Sequence, residues 1–141
     1  MDDPYYLLRF VIAQNRDGIY DRAVEELRLG DKRTHWMWFV FPQIAGLGHS
    51  ATSKHFAISS LDEAKVYLQH DILGPRLIEC TNLVATTPSH DAADIFGEID
   101  AQKLRSSMTL FMRAAPDEPL FRRVLDRYFG GLPDSATDQR I

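Results

Sequence analysis

Two stretches of this chain hold residues of types and spacings that do chemistry. The first, His-Trp-Met-Trp-Phe-Val-Phe-Pro-Gln from His35 to Gln43, opens on an imidazole, holds both tryptophans and closes on a side-chain amide. Four of the six residues from Trp36 to Phe41 are aromatic, against 11% of the whole chain; that density suits a packed core or a wall on which a flat ligand stacks. His35 stands at a loop-to-aromatic junction, where burial beside a ring moves the proton affinity of an imidazole into the range useful to an acid or base. The structural alternative is a histidine that bonds a carbonyl while packing on Trp36 or Trp38. Gln43 is placed to read the polar edge of a ligand stacked on either tryptophan.

The second stretch is Asp100-Ala-Gln-Lys103-Leu-Arg-Ser106-Ser107-Met-Thr109. On a helix Lys103 and Ser107 lie one turn apart, with Ser106 at the edge of the same face. Leu104, Met108 and Phe111 make the core stripe there, so the hydroxyls beside it either let a second helix approach closely or line a pocket. Asp100 reads first as a helix cap. Lys103 with Ser107 also matches the bare elements of a lysine-activated serine nucleophile, but no third orienting group or oxyanion arrangement accompanies them. Between the two stretches, Gly46-Leu47-Gly48-His49-Ser50 is glycine-rich and precedes a possible helix containing Ser53. Its amides are of a kind that hold phosphate or carboxylate, although it lacks the lysine-threonine ending of a P-loop and the third glycine of a dinucleotide fingerprint.

Other chemistries have little to stand on. The five histidines, His35, His49, His55, His70 and His90, show no paired-ligand spacing, so no metal site is expected and surface positions account for them. Cys80, the single cysteine, sits with Leu77, Thr81 and Val84 at helical spacings and reads as a buried, inert thiol. A formal charge of −4, with Lys32-Arg33 the one short basic run, argues against a nucleic-acid polymer as partner while leaving room for a local anion pocket. No apolar run reaches the length of a membrane span, and Met-Asp-Asp-Pro lacks the basic start and apolar core of a secretory signal, which makes the cytoplasm the expected location. No cofactor is implied.

These residues must be positioned by helices. The chain has 141 residues, 45% of them hydrophobic and 26% charged, an ordinary balance for one globular domain. Asp3-Pro4 marks a first helix, with Tyr6, Phe10 and Ala13 on its apolar side, through Gln14. Tyr20 to Leu29 is a second, with Ala23, Val24 and Leu27 inward, Glu25, Glu26 and Arg28 wet, and Gly30 suited to the left-handed position after its end. Ser60-Leu-Asp-Glu63 fits a capping box, and Arg76 to Thr86 continues the pattern. Ser89, Asp100 and Asp117 are the expected caps of helices running to Phe96, from Ala101 to Ala114, and from Pro119 to Phe129. Only Trp36 to Phe41, short and cut off by Pro42, reads as a strand, and one strand makes no sheet. The pattern predicts a single all-α domain, a compact bundle of about six to eight helices, with residues 133–141 a loose tail.

The quoted motifs, with Ala13-Gln14, Glu26-Leu27, Glu63-Ala64, Tyr67-Leu68, Leu73-Gly-Pro-Arg-Leu77 and Ser106-Ser-Met-Thr-Leu-Phe111, resemble the bacterial family named domain of unknown function 1810, over about residues 10–129. Some members carry the name calpastatin. The resemblance implies an all-α fold and carries over no catalytic residue.

The function expected from the residues is binding of a small anionic or nucleotide-like metabolite between the His35–Gln43 segment and the Asp100–Thr109 helix. Trp36, Trp38, Gln43, Gly46, Gly48, Asp100 and Ser106 are the candidate ligand contacts. If a reaction follows, hydrolysis or group transfer fits, with His35 as acid or base, Lys103 holding negative charge and Ser107 orienting the substrate. The alternative is an interaction or homodimer module that uses Trp36, Trp38 or Phe41 as an exposed anchor.

Overall fold

A computed structural model describes residues 2–89 and 91–141; His90, one of the five histidines, lies outside the described residues. Among them the architecture is all-α, and the one β feature is an isolated parallel bridge between Ile44 and Ile58. Six helices carry the bundle: α1 (Leu8–Asn15), α2 (Ile19–Leu29), α5 (Leu61–Gln69), α6 (Leu73–Thr86), α8 (Glu98–Ala114) and α9 (Pro119–Phe129). Four short ones fill its joints: α3 (Met37–Val40), α4 (Ala51–His55), α7 (Ala92–Phe96) and α10 (Ser135–Asp138).

Helix α8 is the hub. It packs against α3, α5, α7, α9 and α10, and its Leu104, Met108, Leu110 and Phe111 are fully buried. Helices α5 and α6 meet so closely that a Cβ on Gly74 would fall 2.2 Å from the Leu68 carbonyl oxygen, so this contact admits no side chain. Burial pushes the Cys80 thiol up to about 12, away from the thiolate form.

Several local expectations are corrected. Trp36 to Phe41 is not a strand: its centre coils into α3, and Phe41 before Pro42 leaves helical geometry at φ −121°, ψ 76°. Helix α1 starts only at Leu8. Asp3 does cap it, accepting from the amides of Leu7 and Leu8, but Tyr6 lies before the helix at φ 52° and is exposed rather than inward. The caps of the later helices shift by a residue or more. The Asp91 carboxylate caps α7 in place of Ser89, and Glu118 caps α9 in place of Asp117. Gly97 precedes α8, leaving Asp100 inside its first turn rather than at its cap. Ser60 caps α5 as expected, but Glu63 reaches the amide and hydroxyl of Ser59 rather than closing on Ser60.

Two corrections concern burial. Glu26 is not on the wet side of α2; it is only 7% exposed. The closing residues are docked rather than loose. Asp134 and Thr137 are buried, the Asp134 carboxylate caps α10, and the Asp134 amide donates to the Thr109 hydroxyl on α8. Arg105 and Arg113 add bonds to the Leu132 and Pro133 carbonyls and to the Asp138 carboxylate.

Candidate functional site

Two cavities meet at Trp38 and Lys103, which line both. The larger, about 490 Å³, lies between the segment after α3 and one flank of α8, with Leu47 and Ile99 apolar, Gln43, Gln102 and Ser106 polar, and Glu98 and Asp134 acidic. The smaller, about 120 Å³, is lined by Lys32, His35, Trp36, Thr52 and Asp100 among others.

Gln43 is set by backbone pairing. Its carbonyl accepts from the Ile58 amide at 2.9 Å and the Ala45 amide donates back to Ile58 at 2.8 Å, which fixes the chain on both sides of it. The residue is 3% exposed and lines the larger cavity, and its amide nitrogen Nε2 is buried without a hydrogen-bond partner. Leaving such a donor dry and unpaired costs about 1–3 kcal/mol. Trp38 is set by Gly48. A Cβ on Gly48 would lie 2.6 Å from the Ser53 Cβ and 2.9 Å from Cη2 of Trp38. Gly48→Ala is therefore expected to lower stability by about 1–3 kcal/mol and to shift the tryptophan emission; an unchanged spectrum and midpoint would refute this role.

Charge is organised around Asp100. One carboxylate oxygen pairs with the Lys32 ammonium at 2.8 Å and the other with Lys103 at 3.2 Å. Each lysine also stands over an indole, Lys32 at 4.9 Å from Trp36 and Lys103 at 4.5 Å from Trp38. Burial works against the Asp100 charge, but the bonds and charges of Lys32 and then Lys103 outweigh it and hold the carboxyl below its ordinary value. The loop bearing Lys32 and His35 is held by Glu26, whose carboxylate accepts from the amides of Arg33 and Thr34, the Thr34 hydroxyl and the Trp36 indole, at 2.6 to 3.0 Å. The floor of the larger cavity is tied to α10: Asp134 accepts from Gln102 at 3.2 Å and from Ser106 at 3.1 Å.

The family model for "Protein of unknown function (DUF1810)" matches residues 4–141. The chain belongs to that family. It is similar to the crystal structure of a conserved hypothetical protein from Mycobacterium tuberculosis, 52% identical, with TM-score 0.93 over 97% of this chain and 96% of that one. No curated protein matches.

In this DUF1810 chain the two sequence clusters do come together. Trp38, Gln43, Lys103 and Ser106 line the larger cavity, and His35, Trp36, Trp38, Asp100 and Lys103 the smaller. Trp36 is mainly core, 1% exposed, packed edge-on to Phe96 and bonded to Glu26; Phe41 is fully enclosed. Of the three aromatics expected as anchors, Trp38 alone is accessible. Ser107 is fully buried, its hydroxyl unbonded, and lines neither cavity; on that geometry it cannot orient a substrate. Gly46 and Gly48 also line neither: Gly46 turns the chain at φ 98°, and Gly48 makes room for Trp38. The four described histidines are exposed or partly so, and among the described residues no three His, Cys, Asp or Glu side chains gather as a metal site. Among the described residues no helix is long and apolar enough to cross a membrane.

Lys32, Gln102 and Asp134 line the two cavities and Glu26 holds the loop beside them, and none of the four was among the candidates. Glu26 had a visible signal, since it lies three residues after Ala23 and next to Leu27, on the apolar stripe.

Proposed function

We propose that this protein is a bacterial, cytoplasmic binder of a small metabolite with a planar, hydrogen-bonding ring of nucleobase type, held in the larger cavity against Trp38. The observation that carries the reading is the buried, unpartnered amide nitrogen of Gln43, a residue that lines a cavity roomy enough for such a ring. Trp38 supplies a stacking face, Leu47 and Ile99 supply apolar cover, and Gln102 offers a second polar edge. The Asp134 carboxylate already accepts from Gln102, Ser106 and Thr137, so it supports the wall rather than presenting a free anion to the ring. The reading is one of binding: Ser107 is enclosed away from the cavity, and His35 faces the smaller space.

The test is thermal-shift screening against nucleobases, nucleosides and nucleotides. A ligand at 100 times its Kd adds about 2.7 kcal/mol, worth about 9 °C in a chain of this size. Gln43→Leu and Trp38→Ala should each weaken a hit by at least about tenfold, the former by removing the donor and the latter the stacking face. A panel with no hit, or a hit indifferent to both substitutions, refutes the reading.

A further inference from the structure

Charge is divided unevenly between the two cavities that share Trp38 and Lys103. The charged groups lining the larger are Lys103, Glu98 and Asp134, a formal excess of one negative. In the smaller they are Lys32, Lys103 and Asp100, an excess of one positive, with the His35 imidazole and the Thr52 hydroxyl beside them. A chain carrying −4 overall thus keeps a locally cationic cleft next to an acidic, ring-sized cavity. A volume of about 120 Å³ is too small for a ring with its substituents, but at roughly 30 Å³ per water molecule it has the space of about four waters, enough for a phosphate group.

The two lysines differ in what they can still bind. Lys32 Nζ is directed to the Thr34 carbonyl at 2.6 Å, to Asp100 at 2.8 Å and over the Trp36 ring, which accounts for its three N–H groups, and its side chain is 7% exposed. Lys103 Nζ meets Asp100 at 3.2 Å and the face of Trp38, and its side chain is 24% exposed. One donor of Lys103 therefore remains for an incoming oxygen, at the boundary between the two cavities. Lys32 is a positioning residue: it holds the other Asp100 oxygen, so Asp100 does not fully neutralise Lys103.

Building on the ring-binding reading, we propose that the ligand is a nucleotide-like phosphate ester, its ring in the larger cavity and its phosphate in the smaller cleft against Lys103 and His35. The ring would lie on one face of the Trp38 region while the phosphate passes Lys103, so one side chain contacts both halves of the ligand. Selectivity for the ester over the neutral nucleoside then arises from the cationic cleft, and it weakens as salt screens the charges.

The experiment is calorimetric titration of the purified protein with adenosine, guanosine, cytidine and uridine and with their 5′-monophosphates, at low and high salt. For the base that binds, the monophosphate should be at least tenfold tighter than its nucleoside, and the ratio should shrink at high salt. Lys103→Gln should bring the ratio near one. His35→Ala, an exposed position that leaves the Lys103–Trp38 contact in place, should lower it severalfold and guards against a general distortion in the first variant. A nucleoside and monophosphate of equal affinity would overturn the phosphate assignment while the ring-binding reading stands. A ratio unmoved in both variants would likewise place the phosphate elsewhere. Absence of binding by all eight compounds would overturn the ring-binding reading and this inference with it.

Discussion

Arg9→Met should cost about 3–5 kcal/mol of unfolding free energy, a large part of the 5–15 kcal/mol that holds a domain folded. Arg9 is 8% exposed, and all five of its donors are engaged. Nε donates to the His55 carbonyl at 2.8 Å, and the two terminal nitrogens to the carbonyls of Tyr5, Tyr6 and Ala57 and to the Glu63 carboxylate at 2.8 Å. One guanidinium thus joins the start of α1 to the chain on both sides of the turn into α5, and it grips the carbonyls around Tyr6, whose φ of 52° is unfavourable for a side-chain-bearing residue. Methionine fills the space but takes the guanidinium donors away from four carbonyls, of which Tyr6 keeps a backbone donor, and from a buried carboxylate oxygen. Urea denaturation measures the effect, and a loss under about 1 kcal/mol would refute it. Arg113→Ala makes the contrast. Its pair with Asp138 has the better two-point geometry but is 41% and 36% exposed, so its removal should cost about 1 kcal/mol or less.

Glu26→Ala should cost about 2–4 kcal/mol, because it strands the Trp36 indole N–H in the core and deprives the Arg33 and Thr34 amides and the Thr34 hydroxyl of their acceptor. Its effect reaches the smaller cavity, since the same loop carries Lys32 and His35. The contribution depends on pH. Burial raises the Glu26 pKa, but the Thr34 hydroxyl, the two amides and the indole together outweigh it and bring the group from 4.5 to about 2. A carboxyl depressed in the folded state stabilises fully above its unfolded value. The wild-type protein should therefore lose this contribution as pH falls from about 4.5 towards 2, while Glu26→Ala, lacking the group, should show a shallower decline over the same window. Parallel curves for the two proteins would show that this carboxylate does not carry the dependence.

How far the sequence reached follows from the range of each interaction. The long helices were legible because their determinants are local: the spacing of Ala23 and Leu27, Gly30 after α2, Ser60 before α5. Helix α3 was not, since four residues give no period to read and the same Trp36–Phe41 run is apolar under either assignment. The docked end of the chain was also hidden. Pro133 to Ile141 has no apolar stripe of its own and is held by side-chain bonds to α8, such as Ser106 to Asp134, that no local pattern records. The buried ion pair was hidden for the same reason: Glu63 is legible as part of a cap, but not its partner Arg9, 54 positions away. Within the site, residue types pointed to Trp38, Gln43 and Lys103, whereas the Trp38–Lys103 contact bridges more than 60 positions and only the fold brings it about. Ser107 failed because helical spacing gives a face and says nothing of what covers it.

Because Asp134 and Ala136 line the same cavity as Trp38, α10 and that cavity share a boundary. Short helices such as α10 open more readily than the bundle around them. Anything that fills the space would brace that boundary from the other side, so the exchange of α10 amide hydrogens with solvent becomes a report on occupancy, readable at residues 135–138 even for a ligand with no spectroscopic signal of its own.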